Sequence, residues 1–172
     1  SLAKDGASRA PSSWALEGEG YGGRVIVRLM ARGLDDELRG TAFAVVDGID
    51  GRVHHLKLPD IDTAGDGPIG GIVELRRFED ARGRPRIALA VRSDLNLDQQ
   101  VVAEGATWLD RRLVAREPAD LSRAGFGAEV RRALDRRIDA LAERGLVRRD
   151  GDKVIIGRNL ISTLRTRELD SA

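Results

Sequence analysis

Cysteine is absent from the 172 residues. That excludes disulfides and thiolate metal sites, and it fits a reducing compartment. Aromatics make up only 3%, so the core is expected to rest on Val, Leu, Ile and Ala. No apolar run approaches the roughly 20 residues that span a bilayer, so membrane insertion is not expected. The N-terminus lacks a basic-then-apolar secretory pattern. Together these absences predict a cytoplasmic location. The chain opens on Ser1 rather than Met, as expected of a segment of a longer protein.

What is present is enough to fold. Hydrophobic residues are 41% and charged residues 33%, a balance in which burial outweighs chain entropy. Net charge is only +1, but it is unevenly spread. Residues 93–122 sum to −3 and residues 123–172 to +4, which makes the C-terminal third the candidate footprint for nucleic acid. Arginine outnumbers lysine 26 to 3. Arginine is the better phosphate fork, although GC-rich codon usage produces the same bias.

The pattern predicts an α+β fold. Residues 1–23 form a Gly- and Ser-rich lead-in, docked at most through Trp14 or Tyr21. Residues 24–93 alternate with period 2 in five short stretches: Arg24–Arg32, Thr41–Asp47, Arg52–Leu58, Gly71–Phe78 and Arg86–Arg92. Gly-rich turns separate them, which predicts a small five-stranded antiparallel, barrel-like sheet of the OB or SH3-like kind. Residues 94–172 switch to a helical period. One helix is expected from about Leu97 to Arg116, started by Asn96 and Gln99 at capping-box spacing and ended by Pro118. A second is expected from about Gly127 to Arg144, with Val130, Leu134, Ile138, Leu141 and Ala142 as its apolar stripe. Residues 146–157 read as a hairpin turning at Asp150-Gly151, and Asn159 as the cap of a last helix, Leu160–Leu169.

Each motif that suggests chemistry fails on spacing or context. Gly65-Asp-Gly67-Pro-Ile-Gly70 matches G-x-G-x-x-G by letter, but no strand leads into it and no helix follows. Asp60, Asp62 and Asp66 lack calcium-loop spacing. His54 and His55 are adjacent on a strand and point to opposite faces, so they cannot chelate one metal; one reads as a core histidine and the other as a surface contact. Asp35-Asp36-Glu37 reads as a charged turn. Arg131, Arg132, Arg136, Arg137 and Arg144 alternate with acids at i,i+3 and i,i+4, which predicts a solvated, salt-bridged helix face. No nucleophile stands beside a base. No catalytic residue, cofactor or metal site is therefore expected in this chain. Fewer acids accompany Arg148, Arg149, Lys153, Arg158 and Arg165 around the hairpin. That helix-then-basic-hairpin order resembles a winged-helix ending whose wing contacts phosphates, so these five residues are the expected nucleic-acid contacts.

Several stretches together resemble a known family. Gly33-Leu-Asp-Asp-Glu-Leu-Arg-Gly40, Val46-Asp-Gly-Ile-Asp-Gly-Arg-Val-His-His55 and Ile72-Val-Glu-Leu-Arg-Arg77 are similar to the uncharacterised region downstream of the nuclease in plasmid conjugative relaxases. These are the mobilisation nucleases related to the one that transfers tumour-inducing DNA to plants. The likeness continues through Gly105–Asp110 and Gly125–Val130 to Ile161–Leu169. Family nucleases nick DNA with a tyrosine beside a histidine-held metal, and Tyr21 with two adjacent histidines does not supply that arrangement. The resemblance therefore implies context: plasmid DNA, single- or double-stranded, at a transfer origin, beside relaxosome proteins and a type IV secretion coupling protein. Three roles follow as expectations: a DNA-binding accessory module, a protein-interaction module docking the relaxase to those partners, or a structural spacer.

Overall fold

The computed structural model describes residues 23–116 and 121–171. Trp14, Tyr21 and Pro118 lie outside them. The five predicted strands are all present: β1 Arg24–Asp36, β2 Thr41–Gly48, β3 Val53–Leu58, β4 Ile72–Glu79 and β5 Pro85–Ser93. They form one antiparallel sheet in the order β3-β2-β1-β4-β5. It is curled but open, with β3 and β5 as its edges rather than a closed barrel.

Period-2 patterning explains the inner face. In β2, Ala42, Ala44 and Val46 are buried and alternate with half-buried Thr41, Phe43 and Val45. In β3, His54, Leu56 and Leu58 alternate with exposed Val53, His55 and Lys57. The apolar inward residues pack with Val27 and Leu29 of β1 and Val73 and Leu75 of β4. Two register shifts in β1, at Leu29/Ala31 and Leu34/Asp36, bend the long strand, as bulges do. A 3-10 turn, Asp62–Ala64, lies against β2 and β5 and buries Ala64 in the same core.

The helical part differs from expectation in one respect. The stretch expected as one helix is two: α1 Leu97–Val102 and α2 Trp108–Ala115. Asn96 and Gln99 do make the expected capping box on α1. A second box, Thr107 with Asp110, restarts the chain as α2, because a cap satisfies amide donors that an uninterrupted helix would bond internally. At the elbow Val102 is 75% exposed while Val101 beside it is buried. α3 spans Gly125–Glu143, followed by the hairpin β6 Val147–Asp150 and β7 Lys153–Ile156, then α4 Leu160–Ser171.

Two further clusters join the parts. Ile49 and Ile72 of the β part pack with Leu97, Trp108, Leu109, Phe126 and Val130. The scarce aromatics thus still contribute two large buried side chains. Ile138 and Leu141 of α3 pack with Val147, Leu160 and Leu164, which seats the hairpin and α4. The β2–β3 turn meets the start of α3 almost backbone to backbone. Ser122 donates its amide to the Ile49 carbonyl at 2.8 Å, and a Cβ on Gly127 would collide with that carbonyl and with Ser122.

Candidate nucleic-acid interface

Strand alternation divides the basic residues of the hairpin. Val147 pairs with Ile156 and Arg149 with Val154 on the face turned to the helices; Arg148 pairs with Ile155 on the other. Arg149 is pinned there: its guanidinium bonds Asp139 at 2.8 Å and also reaches the Asp135 carbonyl. Arg148 and Lys153 share the outward face, with no partner among the described residues, but Asp150 stands opposite Lys153. Arg158 is exposed in the turn before α4, and Arg165 is exposed on that helix. The five residues expected as contacts are therefore spread over two hairpin faces, a turn and a helix.

The arginines of α3 are structural to a degree their spacing does not suggest. Arg137 is wholly buried. Its Nε and Nη2 donate to Asp110 at 2.8 and 2.9 Å. Nη1 donates to the Val101 and Ala103 carbonyls and Nη2 to that of Gly105. Every guanidinium N–H is thereby used, and the elbow between α1 and α2 is locked to α3. Arg144 bonds the Ala103 and Glu104 carbonyls, Arg136 bonds Asp98, and Arg131 bonds the Leu121 carbonyl. These partners lie across the fold, not one turn away on the same helix. The signal for Arg137 was present: it stands four residues from both Ala133 and Leu141, inside the apolar stripe.

On the outer sheet face, Arg28 reaches α3. Its guanidinium bonds Glu129 at 2.8 Å and Asp47 at 2.9 Å and lies over Phe126, 4.7 Å from the ring centre. The bond to Arg28 holds the Glu129 carboxyl below the usual range against a smaller opposing effect of burial. The same bond raises Arg28 further.

Beyond Ile26, on the outer face of β4 and β5, Arg24, Arg86, Ala90 and Arg92 are exposed and Glu74, Arg76, Phe78 and Ala88 are half-buried. The register places Arg24 beside Arg76, Glu74 beside Ala90, and Phe78 beside Arg86 on this one face. Arg76 lies over the Phe78 ring at 4.4 Å. Glu74 is shared by Arg24 at 3.6 Å and Arg92 at 2.8 Å, and Arg86 pairs with Asp80 at 2.9 Å. Arg76 has no carboxylate partner among the described residues. Positive charge thus exceeds negative charge around an accessible aromatic, with small Ala88 and Ala90 keeping the surface low. Arg82 and Arg84 extend the excess into the β4–β5 turn. Asp80 organises that turn: its carboxylate accepts from the Arg84 amide, the Arg86 side chain and the Arg82 amide, which lower its pKa. No motif marks this face in the sequence. It emerges from alternate residues of β1, β4 and β5 brought side by side.

The other candidates resolve into local structure. His54 is buried, with Nε2 3.3 Å from Asp50, while His55 is exposed. Burial pushes the Asp50 carboxyl up, but bonds to His54 and the Arg52 amide outweigh it and leave the carboxyl lowered. Within the Gly65–Gly70 stretch, the Gly67 carbonyl accepts from Arg32 and the Gly70 amide is given to the Leu29 carbonyl; it is a turn entering β4. Asp60 accepts from the Thr63 amide and hydroxyl, and Asp36 accepts from the Leu38 amide. Among the described residues no group of three or more His, Asp or Glu is placed to hold a metal ion. None of their helices is long and apolar enough to cross a membrane.

The sequence model of a family described as "Protein of unknown function (DUF3363)" matches residues 2–83 and 75–172. The chain belongs to that family. No curated protein matches it, and no solved structure does.

Proposed function

We propose that this member of the DUF3363 family is a non-catalytic accessory domain of a conjugative relaxase, contributing to DNA binding or relaxosome positioning during plasmid transfer in the bacterial cytoplasm. The observation that carries the DNA-binding reading is the outer face of β4 and β5, where arginines outnumber carboxylates around Phe78. Phosphate contacts supply most non-specific affinity for DNA, and arginine is the residue best shaped for them. Arg148, Lys153, Arg158 and Arg165 are solvent-facing and add further contacts. The relaxase context rests on the sequence resemblance.

The test is direct binding of the full chain to single- and double-stranded DNA by fluorescence anisotropy. Affinity that falls steeply with salt is the expected result. Absence of binding to either form at low salt would refute it.

A second reading is a protein-interaction module that docks the relaxase to a type IV secretion coupling protein or to relaxosome partners. It is favoured by Ile155, an exposed apolar residue beside Arg148 on the outer hairpin face. Retention on coupling-protein cytosolic domains after nuclease treatment would support it, and loss of retention on that treatment would count against it.

A further inference from the structure

We infer that the outer face of β4 and β5 is a binding surface for single-stranded nucleic acid, with Phe78 and Arg76 as a platform that stacks an unpaired base. The inference rests on the DNA-binding reading above and specifies its strand type and its central residues.

Four observations carry it. Phe78 is only half-buried, near the turn end of β4 beyond the last β1 pairing at Arg24–Arg76, and the Arg76 guanidinium lies over its ring. The guanidinium over the ring adds a second flat, charged surface on which bases stack, as they do on aromatic rings. Arg24, Arg92 and Arg86 flank the pair with half or more of their side chains in solvent or close to it, at 61%, 42% and 44% exposure. Their carboxylate partners are fewer: Arg24 and Arg92 divide one glutamate between them. Among the described residues the helices reach this face at its Ile26–Ile72 end, and Arg86, Ala90 and Arg92 of β5 are exposed.

The geometry favours a single strand over a duplex. In a duplex the π-faces of the bases are hidden in the stack, and exposing one requires unpairing and unstacking it. A low sheet face with an aromatic at its turn end meets an already unpaired base without that cost. An acidic peptide would satisfy the arginines but would leave the Phe78–Arg76 platform unused.

The test measures anisotropy of a labelled 12-nucleotide oligo(dT) and a 12-base-pair duplex with the full chain, over a salt series. The single strand is expected to bind more tightly. Phe78→Ala is expected to weaken single-strand binding by about five- to a hundredfold, the range of one base stack, and to leave duplex binding unchanged. Phe78→Trp keeps an aromatic there and is expected to retain affinity, so a loss caused by misfolding is recognisable. Arg76→Gln and Arg92→Gln are each expected to reduce the salt slope for the single strand by about 0.7. Equal affinity for both forms, with no effect of Phe78→Ala, overturns the inference while leaving DNA binding intact. No binding of either form overturns both. Displacement of the oligonucleotide by poly-glutamate as readily as by unlabelled oligo(dT) also overturns it, in favour of an acidic protein partner.

Discussion

Replacing Arg137 with Met tests whether a buried arginine, rather than an apolar contact, locks the helices together. The side chain is fully buried and makes five hydrogen bonds, two to Asp110 and three to the carbonyls of Val101, Ala103 and Gly105. Methionine matches the stem but supplies no donor. Asp110 would remain buried with only Thr107 to hold it. Breaking one side of a buried pair costs about 3–5 kcal/mol because the surviving charge is left uncompensated. At about 2–4 °C per kcal/mol for a protein of this size, the melting temperature should fall by about 6–20 °C. The internal control is Arg136→Met on the same helix. Its pair with Asp98 is 56% and 82% exposed, and surface pairs are worth up to about 1 kcal/mol. Adding Asp110→Asn to Arg137→Met should recover part of the loss, since removing both charges is far less costly than removing one. Differential scanning calorimetry of the four proteins suffices. If Arg137→Met and Arg136→Met lower the melting temperature equally, the locking argument is wrong.

Gly127→Ala should destabilise despite alanine's better helix propensity. A Cβ there meets the Ile49 carbonyl and Ser122, and overpacking typically costs about 1–3 kcal/mol. A urea midpoint at or above wild type would show that the β2–β3 turn is free to move away from α3. The pH dependence of stability has a defined sign. Glu129 is lowered by its bond to Arg28, and Asp50 is lowered by bonds to His54 and the Arg52 amide, which outweigh the opposing effect of burial. Their contributions are therefore complete above the unfolded carboxylate pKa, about 4, and are lost as pH falls through the lower folded values. Glu129→Gln should flatten the acid limb of a melting-temperature-versus-pH curve, and an unchanged limb would remove Glu129 from the account. Thr107→Ala removes the cap that restarts α2 and one of the bonds that hold Asp110. A loss of about 0.5–2 kcal/mol is expected from the cap, read from the same calorimetric scans.

Much of this protein can be read from residue order because the relevant forces are local. Strand alternation in Thr41–Gly48 and Val53–Leu58 follows from the two-residue period of a pleated chain, and it also separates His54 from His55. The capping box at Asn96 and the hairpin at residues 146–157 are encoded within a few residues.

Tertiary structure decided which charges are spent and which are free. Arg137 and Arg131 look alike on the same helix, yet one is sealed against Asp110 and the other bonds a surface loop carbonyl. Their fates depend on where the α1–α2 elbow and the Leu121 carbonyl come to rest. The elbow did have a local signal, Gly105 followed by Thr107 and Asp110 at capping-box spacing, which the helical period of residues 97–116 masked. The sheet face around Phe78 joins residues of three strands, from Arg24 to Arg92, through register rather than through neighbourhood in the chain. An electrostatic surface depends on distances between residues far apart in sequence. The charge total of the C-terminal third therefore pointed to the hairpin, where Asp150 and Asp139 stand against the basic residues, while a second group of arginines assembled on the sheet.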